Sequence, residues 1–319
     1  MIRSMKIAFG LTVLSGWNYP HRLFSYVPTA IERAPLLVWA KRVGFEGVEV
    51  ADSWMDWYSM SPDQLEDMRA QLDKIGLPCA AMNPYRCIVI GHPDAGRNEE
   101  KLYRTLDVGH IWGATFLNLA ISVPFPAVMS DAERAERQTK LMRGDDFADA
   151  HFEECATKVR QLADAAAGKG IALSIELHDD GITDRSDHVM RLHAMVNHPN
   201  VGVNPDLQNG FRVPYKTEDW RTVINNMSSA TNLWHVKSNT RRYIPETGGY
   251  QTGRATLRDG DIDYRWALTQ MVEAGFDGWL TLETGGGDAL HRAEGDLRYL
   301  HELIYEWIPL VRLARAGGV

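Results

Sequence analysis

Short apolar, strand-like runs alternate eight times with longer amphipathic segments of helical spacing along the chain. Repeated units of strand and helix predict parallel strands, because a right-handed crossover helix joins each strand to the next. The predicted strands are 6–12, 45–52, 77–83, 114–122, 173–178, 201–209, 233–239 and 278–284.

The helical segments carry recognisable start and stop signals. The clearest is SPDQLEDMRAQLDKIG, with Ser61 as the cap, Pro62 in the first turn and Gly76 as the stop. Between strand seven and the helical pattern at 261–275, the chain is rich in glycine and is predicted to be a loop. A last helical stretch runs from about 289 to 315.

Eight strand–helix units match the count of a closed (β/α)8 TIM barrel. The alternative, a doubly wound open sheet, lacks support because no GxGxxG motif follows the first strand. We find no linker rich in Pro, Gly or Ser that would divide the chain. The sequence therefore predicts an α/β fold with a single barrel domain over 1–319 and an extended loop, about 123–150, after strand four.

Composition and charge narrow the function classes. The 319 residues are 45% hydrophobic, and the net charge of −8 with a pI near 5.8 argues against a nucleic-acid partner, although a local basic patch stays open. The 3 cysteines have no CxxC spacing, which favours a reducing compartment. No signal-peptide stretch or transmembrane run is found, so we expect a cytoplasmic protein without membrane contact.

The last four predicted strands each carry a metal-ligand type of residue at or near the C-terminal end: Glu176, Asp206, His235 and Glu283. In a barrel of parallel strands these ends face the active site. Each residue alone is equally consistent with a strand-end ion pair, but four in register indicate one site. Three carboxylates and an imidazole suit manganese or magnesium, and their mutual repulsion itself predicts a cation.

The eight-strand layout with Glu, Asp, His and Glu closing strands five to eight resembles the xylose-isomerase-like TIM barrels, the sugar phosphate isomerase/epimerase superfamily. The segment RDGDIDYRWALTQMVEAGFDGWLTLE (258–283) is similar to that family's entry into the eighth strand, and the likeness runs from Lys6 to about Ile304. The resemblance implies one divalent metal on Glu176, Asp206, His235 and Glu283. Mn²⁺ is favoured, with Mg²⁺, Co²⁺ and Zn²⁺ as alternatives.

The resemblance also implies a chemistry. A cation chelating adjacent carbonyl and hydroxyl oxygens acidifies the C–H bond between them, and Glu176 and Glu283 would remove and return a proton on two faces of the sugar. His178 and Lys237 each lie two residues beyond a ligand and point to the same side by strand alternation. They are either acid/base groups or polar residues that hold the ligands in place.

The chain departs from the ketose epimerases at two positions. Asn209 stands where those enzymes carry a substrate-holding His, and Ile182 stands where they carry a second Glu. Arg241, six residues after His235, matches their substrate-contacting Arg. The departures weaken the prediction of a plain free-ketose epimerase, while Asn209 and Arg241 remain predicted substrate contacts.

Other residues at the predicted barrel mouth are candidate substrate contacts. Asn118, at the end of strand four, would bind a hydroxyl group. Trp54, near the end of strand two, and Trp17, Asn18 and Tyr19, after strand one, would either stack on a sugar or simply cover the barrel top. The glycines at 285–287 lie where barrels often bind phosphate, or only permit a tight turn.

The leading hypothesis is a metal-dependent sugar or keto-sugar isomerase or epimerase. The alternative within the superfamily is a lyase: a dehydratase, or the catalytic subunit of a C-glycoside deglycosidase that enolises a 3-keto-glycoside and eliminates its aglycone. An endonuclease IV-like repair enzyme would need a His-rich three-zinc cluster and a basic groove, and a non-catalytic sugar-binding subunit would not need the four ligands. We expect a sugar or glycoside partner and a homo-oligomer, or a hetero-oligomer for a deglycosidase subunit.

Overall fold

The computed structural model describes residues 5–14, 26–84, 95–121 and 141–317. Its strands are β1 (Lys6–Gly10), β2 (Gly47–Ala51), β3 (Cys79–Asn83), β4 (Phe116–Ala120), β5 (Ala172–Glu176), β6 (Val201–Asn204), β7 (Leu233–Val236), β8 (Ser238–Ile244), β9 (Gly249–Ala255) and β10 (Trp279–Leu282). Its α-helices are α1 (Ala30–Val43), α2 (Pro62–Ile75), α3 (Ala95–Trp112), α4 (Asp149–Ala167), α5 (Ser186–Val196), α6 (Leu207–Phe211), α7 (Trp220–Met227), α8 (Tyr264–Glu273), α9 (Ala289–Glu302) and α10 (Ile308–Arg315).

Eight parallel strands form one sheet in the order β6-β5-β4-β3-β2-β1-β10-β7. The sheet closes between β6 and β7, where Val203 and Thr231 form a parallel bridge and the Asn232 amide donates to the Val203 carbonyl at 3.3 Å. The predicted (β/α)8 TIM barrel is therefore confirmed, with the first strand paired to the last, and the open-sheet alternative is wrong.

The helices begin and end for the reasons given by their sequences. At α2 the Ser61 hydroxyl accepts from the Gln64 amide at 3.3 Å, and Gly76 ends the helix in the left-handed conformation at φ 69°. Alternate residues of each barrel strand, such as Val48 and Val50 in β2, are buried apolar residues that belong to the core. The alternate set of side chains is left to fill the barrel interior, where Glu49 lies.

Two segments differ from the sequence-based prediction. The glycine-rich segment after strand seven is an antiparallel hairpin, β8–β9, in which Tyr243 pairs with Tyr250 and Gly248 turns the chain at φ 66°. Its side chains are largely exposed, so no buried face marked it as strand. Strand six ends at Asn204 and not at 209, because Asp206 accepts from the Asn209 amide and begins the short helix α6.

Only part of the extended loop predicted at 123–150 is described, because 122–140 lie outside the described residues. The described part, 141–148, packs on the loop between β5 and α5. The Met142 amide donates to Asp180 and the Gly144 amide to Asp184, each at 2.9 Å.

The predicted C-terminal helical stretch is confirmed, with one irregular turn. Residues 303–307 form a π-helical turn between α9 and α10, and the Ile308 amide donates to the Leu303 carbonyl. Pro309 lacks an amide hydrogen and crowds the turn before it, which explains why the helix widens there. Across the described ranges, no helix combines the length and apolarity that crossing a bilayer would need.

Candidate metal centre

The four predicted ligands converge at the C-terminal mouth of the barrel. Glu176 is the last residue of β5, His235 lies within β7, Asp206 caps α6, and Glu283 directly follows β10. One ligand atom from each lies within 4.8 Å of every other, and all four residues are buried. The predicted convergence of strands five to eight on one site is confirmed. We call these four residues the quartet.

His235 stands at the middle of the quartet. Its Nδ1 lies 3.2 Å from a Glu176 oxygen, 3.4 Å from a Glu283 oxygen and 3.8 Å from an Asp206 oxygen. Its backbone amide donates to the Asn204 side chain at 2.8 Å, which ties β7 to β6 at this level. The imidazole therefore presents Nδ1 to all three carboxylates from a fixed strand.

Lys237 provides the second positive charge at the centre. Its Nζ lies 2.6 Å from an Asp206 oxygen and 2.6 Å from a Glu283 oxygen. The Tyr264 hydroxyl accepts from the Lys237 amide at 3.1 Å and donates to its carbonyl at 2.6 Å. Because Tyr264 is buried in α8, it fixes the backbone from which the ammonium group reaches the two carboxylates.

The two asparagines predicted to contact substrate are held by the quartet. The Asn118 amide donates to Glu176 Oε2 at 2.7 Å. The Asn209 amide donates to Glu176 Oε1 and to Asp206 Oδ2, each at 2.9 Å. With these contacts both side chains orient ligand carboxylates, and their role toward a substrate stays a prediction.

Two further candidates, His178 and Arg241, make hydrogen bonds outside the quartet. His178 is buried at the end of β5, and its Nδ1 lies 2.7 Å from the Asp179 carbonyl, so Nε2 is the ring atom left to reach a ligand. Arg241 lies on β8, with its guanidinium 3.6 Å from the Tyr250 ring and hydrogen-bonded to the Tyr215 carbonyl. Its described contacts thus hold it to the rim of the barrel.

Of the candidate substrate contacts that follow strands one and two, the structure describes only Trp54. Trp54 is only 5% exposed and belongs to the hydrophobic core, and its contact with a substrate stays a prediction. Trp17, Asn18 and Tyr19 lie outside the described residues.

The pKa values of two members of the quartet, Asp206 and His235, are both raised. Burial, together with Glu176 and Glu283, raises the pKa of Asp206 to about 7 against the opposing charge of Lys237. Burial also disfavours the His235 cation, but the surrounding Glu283, Glu49 and Glu176 outweigh it and raise the pKa of His235 well above its usual value. The centre therefore attracts positive charge strongly.

This donor set fits a divalent cation. It offers three carboxylates and one imidazole nitrogen, all buried and with ligand atoms close enough to share one ion. Asn118 and Asn209 hold the carboxylate of Glu176 from two sides, as is usual for ligands that must keep one orientation.

The contacts that surrounding side chains make with the quartet were not predicted from the sequence. Glu49 in β2 lies 3.0 Å from His235 Nε2, and Asn83 in β3 donates to both Glu49 and Glu283. Strand alternation alone puts Glu49 on the inner face of GVEVA, but it does not say which ligand the carboxylate meets across the barrel.

Gly10 makes room for Glu283. A Cβ on Gly10 would lie 2.9 Å from both the Glu283 Cγ and the Leu282 carbonyl oxygen, and the latter is backbone that cannot rotate away. We expect Gly10→Ala to displace Glu283 and to weaken Mn²⁺ binding by at least roughly tenfold, measured by titration calorimetry. Gly96→Ala, where no atom of the described residues lies within 4 Å of the added carbon, is the control. Equal Mn²⁺ affinity in both variants would contradict this account.

Comparisons with known proteins agree with the barrel fold. A xylose isomerase-like TIM barrel protein from Mycobacterium smegmatis, solved in complex with magnesium, is 23% identical with a TM-score of 0.79, covering 96% of this chain and 99% of its own. The probable 3-DHS dehydratase AsbF from Bacillus anthracis is 18% identical, with a TM-score of 0.68 over 93% of this chain and 98% of its own.

A D-allulose 3-epimerase from Methylomonas sp., solved in complex with D-allulose, is 15% identical with a TM-score of 0.66, over 94% of this chain and 97% of its own. At such identities these likenesses show the fold alone. No curated protein matches the sequence at a significant level. The family model for the xylose isomerase-like TIM barrel matches residues 37–304, and the chain therefore belongs to the xylose isomerase-like TIM barrel family.

Proposed function

We propose that the protein is a divalent-metal-dependent isomerase or epimerase of a sugar or keto-sugar, working by proton abstraction next to a carbonyl group. The observation that carries the proposal is the buried quartet at the barrel mouth, with all four ligand atoms within 4.8 Å of one another. A family of sugar-acting barrels and a sugar epimerase among the solved structures of the same fold support it.

Glu176 and Glu283 are the proposed proton-transfer groups. They come from β5 and from the end of β10, so they approach the centre from different strands and can serve two faces of one carbon. A divalent cation held by the quartet would polarise the substrate carbonyl and stabilise the negative charge that develops when the proton leaves. Mn²⁺ is the proposed ion.

Lys237 and the two asparagines hold the carboxylates of Glu283 and Glu176 in fixed orientations. Lys237 holds one oxygen of Glu283 at 2.6 Å, which favours the ionised form that a base requires. Asn118 and Asn209 donate to different oxygens of Glu176 and fix the plane of its carboxyl group. Arg241, on the hairpin at the rim, is the proposed contact for the distal end of the substrate.

A lyase is the second candidate, and one observation favours it. Ile182, at the position where the epimerases carry a second Glu, is only 2% exposed and part of the hydrophobic core, so it offers no polar contact to a free ketose. In the elimination, a carboxylate removes the proton next to the carbonyl and the leaving group departs from the β-carbon with its electron pair. His178 is the proposed acid that protonates that leaving group.

Solvent exchange tests the step that both candidates share. With Mn²⁺ present, incubation in deuterium oxide should put deuterium on the substrate carbon next to the carbonyl, and a chelator should prevent it. The panel comprises free ketoses, inososes and 3-keto-glycosides, followed by NMR and mass spectrometry. A product with the molecular formula of the substrate, apart from exchanged deuterium, indicates the isomerase, and loss of water or aglycone indicates the lyase. The absence of exchange in every substrate would refute enolisation.

A further inference from the structure

Glu49 is a buried carboxylate in direct contact with the quartet but not part of it. It lies in the middle of β2, on the far side of His235 from the other carboxylates, and is completely buried. Its Oε2 is 3.0 Å from His235 Nε2, while His235 Nδ1 faces Glu176, Asp206 and Glu283. The two ring nitrogens of His235 thus face different carboxylates: Nε2 faces Glu49, and Nδ1 faces the other members of the quartet.

With a metal bound to the quartet, this division would fix the tautomer of His235. A histidine that binds a metal does so through a ring nitrogen without a proton, so ligation through Nδ1 requires the proton on Nε2. A carboxylate can only accept, and Glu49 is the group that accepts from Nε2. The contact also stops the ring from rotating, because β7 holds its backbone and Glu49 holds its far edge.

Glu49 is itself fixed by donors from two other strands, β3 and β10. The Thr281 hydroxyl donates to Oε2 at 3.0 Å, and the Asn83 amide donates to Oε1 at 2.8 Å. The same Asn83 nitrogen lies 3.2 Å from Glu283 Oε1. Glu49 is therefore joined to one ligand directly and to a second through Asn83.

We propose that Glu49 is the positioning residue of the centre. It holds His235 with Nδ1 toward the ion, raises the basicity of that nitrogen, and keeps Glu283 in register through Asn83. This inference rests on the proposed function insofar as that function requires a metal on the quartet. It requires no contact between Glu49 and the substrate.

Removal of the charge or of the side chain tests the role. In Glu49→Gln the two oxygens that receive three donors become one oxygen and one amide nitrogen, so at least one donor faces another donor. We expect Mn²⁺ affinity to fall roughly 10-fold in Glu49→Gln and roughly 100-fold in Glu49→Ala. Free Mn²⁺ is counted by electron paramagnetic resonance on the purified full chain.

Two further variants separate positioning from general damage. Glu46→Gln, three residues earlier, removes a carboxylate that lies away from the quartet and accepts from the Ile7 amide at 3.0 Å. This variant should leave Mn²⁺ affinity unchanged. Thr281→Val keeps the shape of the side chain but removes one donor to Glu49, and it should weaken Mn²⁺ binding roughly 2–10-fold. Circular dichroism verifies that each variant is folded.

A spectroscopic readout reports on His235 itself. The visible spectrum of the Co²⁺-loaded protein depends on its nitrogen ligand, so it should change in Glu49→Gln and stay unchanged in Glu46→Gln. Unaltered Mn²⁺ affinity and Co²⁺ spectrum in both Glu49 variants would overturn the inference while leaving the proposed function standing. A wild-type chain that binds Mn²⁺ tightly but exchanges no substrate proton would refute the function alone, and one that binds neither ion would refute both.

Discussion

Glu283→Gln is expected to lower kcat by roughly 10³-fold or more, because it removes both a metal ligand and a proposed base. The amide is nearly isosteric, so the barrel should keep its fold. In the wild type, Lys237 donates to one oxygen of Glu283 and Asn83 donates to the other. These two donors determine the orientation of the glutamine amide in the variant, where Lys237 no longer has a charged acceptor at this position. Turnover with Mn²⁺, measured on the best substrate of the panel, is the readout.

Glu294→Gln is the matched control for that experiment. Glu294 forms an exposed pair with Arg298 at 3.1 Å on α9, and such pairs contribute little to stability. Its kcat and Mn²⁺ affinity should stay at the wild-type values. A Glu283→Gln enzyme that binds Mn²⁺ but still turns over at the wild-type rate would exclude Glu283 as the base.

The fold could be predicted because its signal is repeated. Each barrel strand is buried on the side that faces the helices, so every one of the eight leaves an apolar run, and caps such as Ser61 and Gly76 mark the helix between two of them. The β8–β9 hairpin gives no such signal, because its strands bury little and its sequence is polar with glycine at the turn.

The quartet could be predicted because parallel strands bring their ends to one place. Position along the chain was enough to group Glu176, Asp206, His235 and Glu283, although Asp206 reaches the centre from a helix cap and not from a strand. Their supporting contacts could not be predicted, since Glu49 meets His235 across the barrel from a strand 186 positions away. Such a pair depends on the register of the closed sheet.

Lys237→Met should make the stability of the protein depend on metal. In the metal-free chain Lys237 is the cation between Asp206 and Glu283, at 2.6 Å from each. Methionine fills a similar volume but leaves two buried carboxylates without their partner, a change that costs about 3–5 kcal/mol of unfolding free energy. We expect that loss in the metal-free protein, measured by urea titration of tryptophan fluorescence.

With saturating Mn²⁺ the same substitution should cost much less stability, because an ion that binds only the folded chain supplies the missing positive charge. The gain in unfolding free energy on adding Mn²⁺ should therefore be larger for Lys237→Met than for the wild type or for the control Lys216→Met, whose side chain is exposed. If Mn²⁺ stabilises all three by the same amount, Lys237 and the metal do not compensate the same carboxylates.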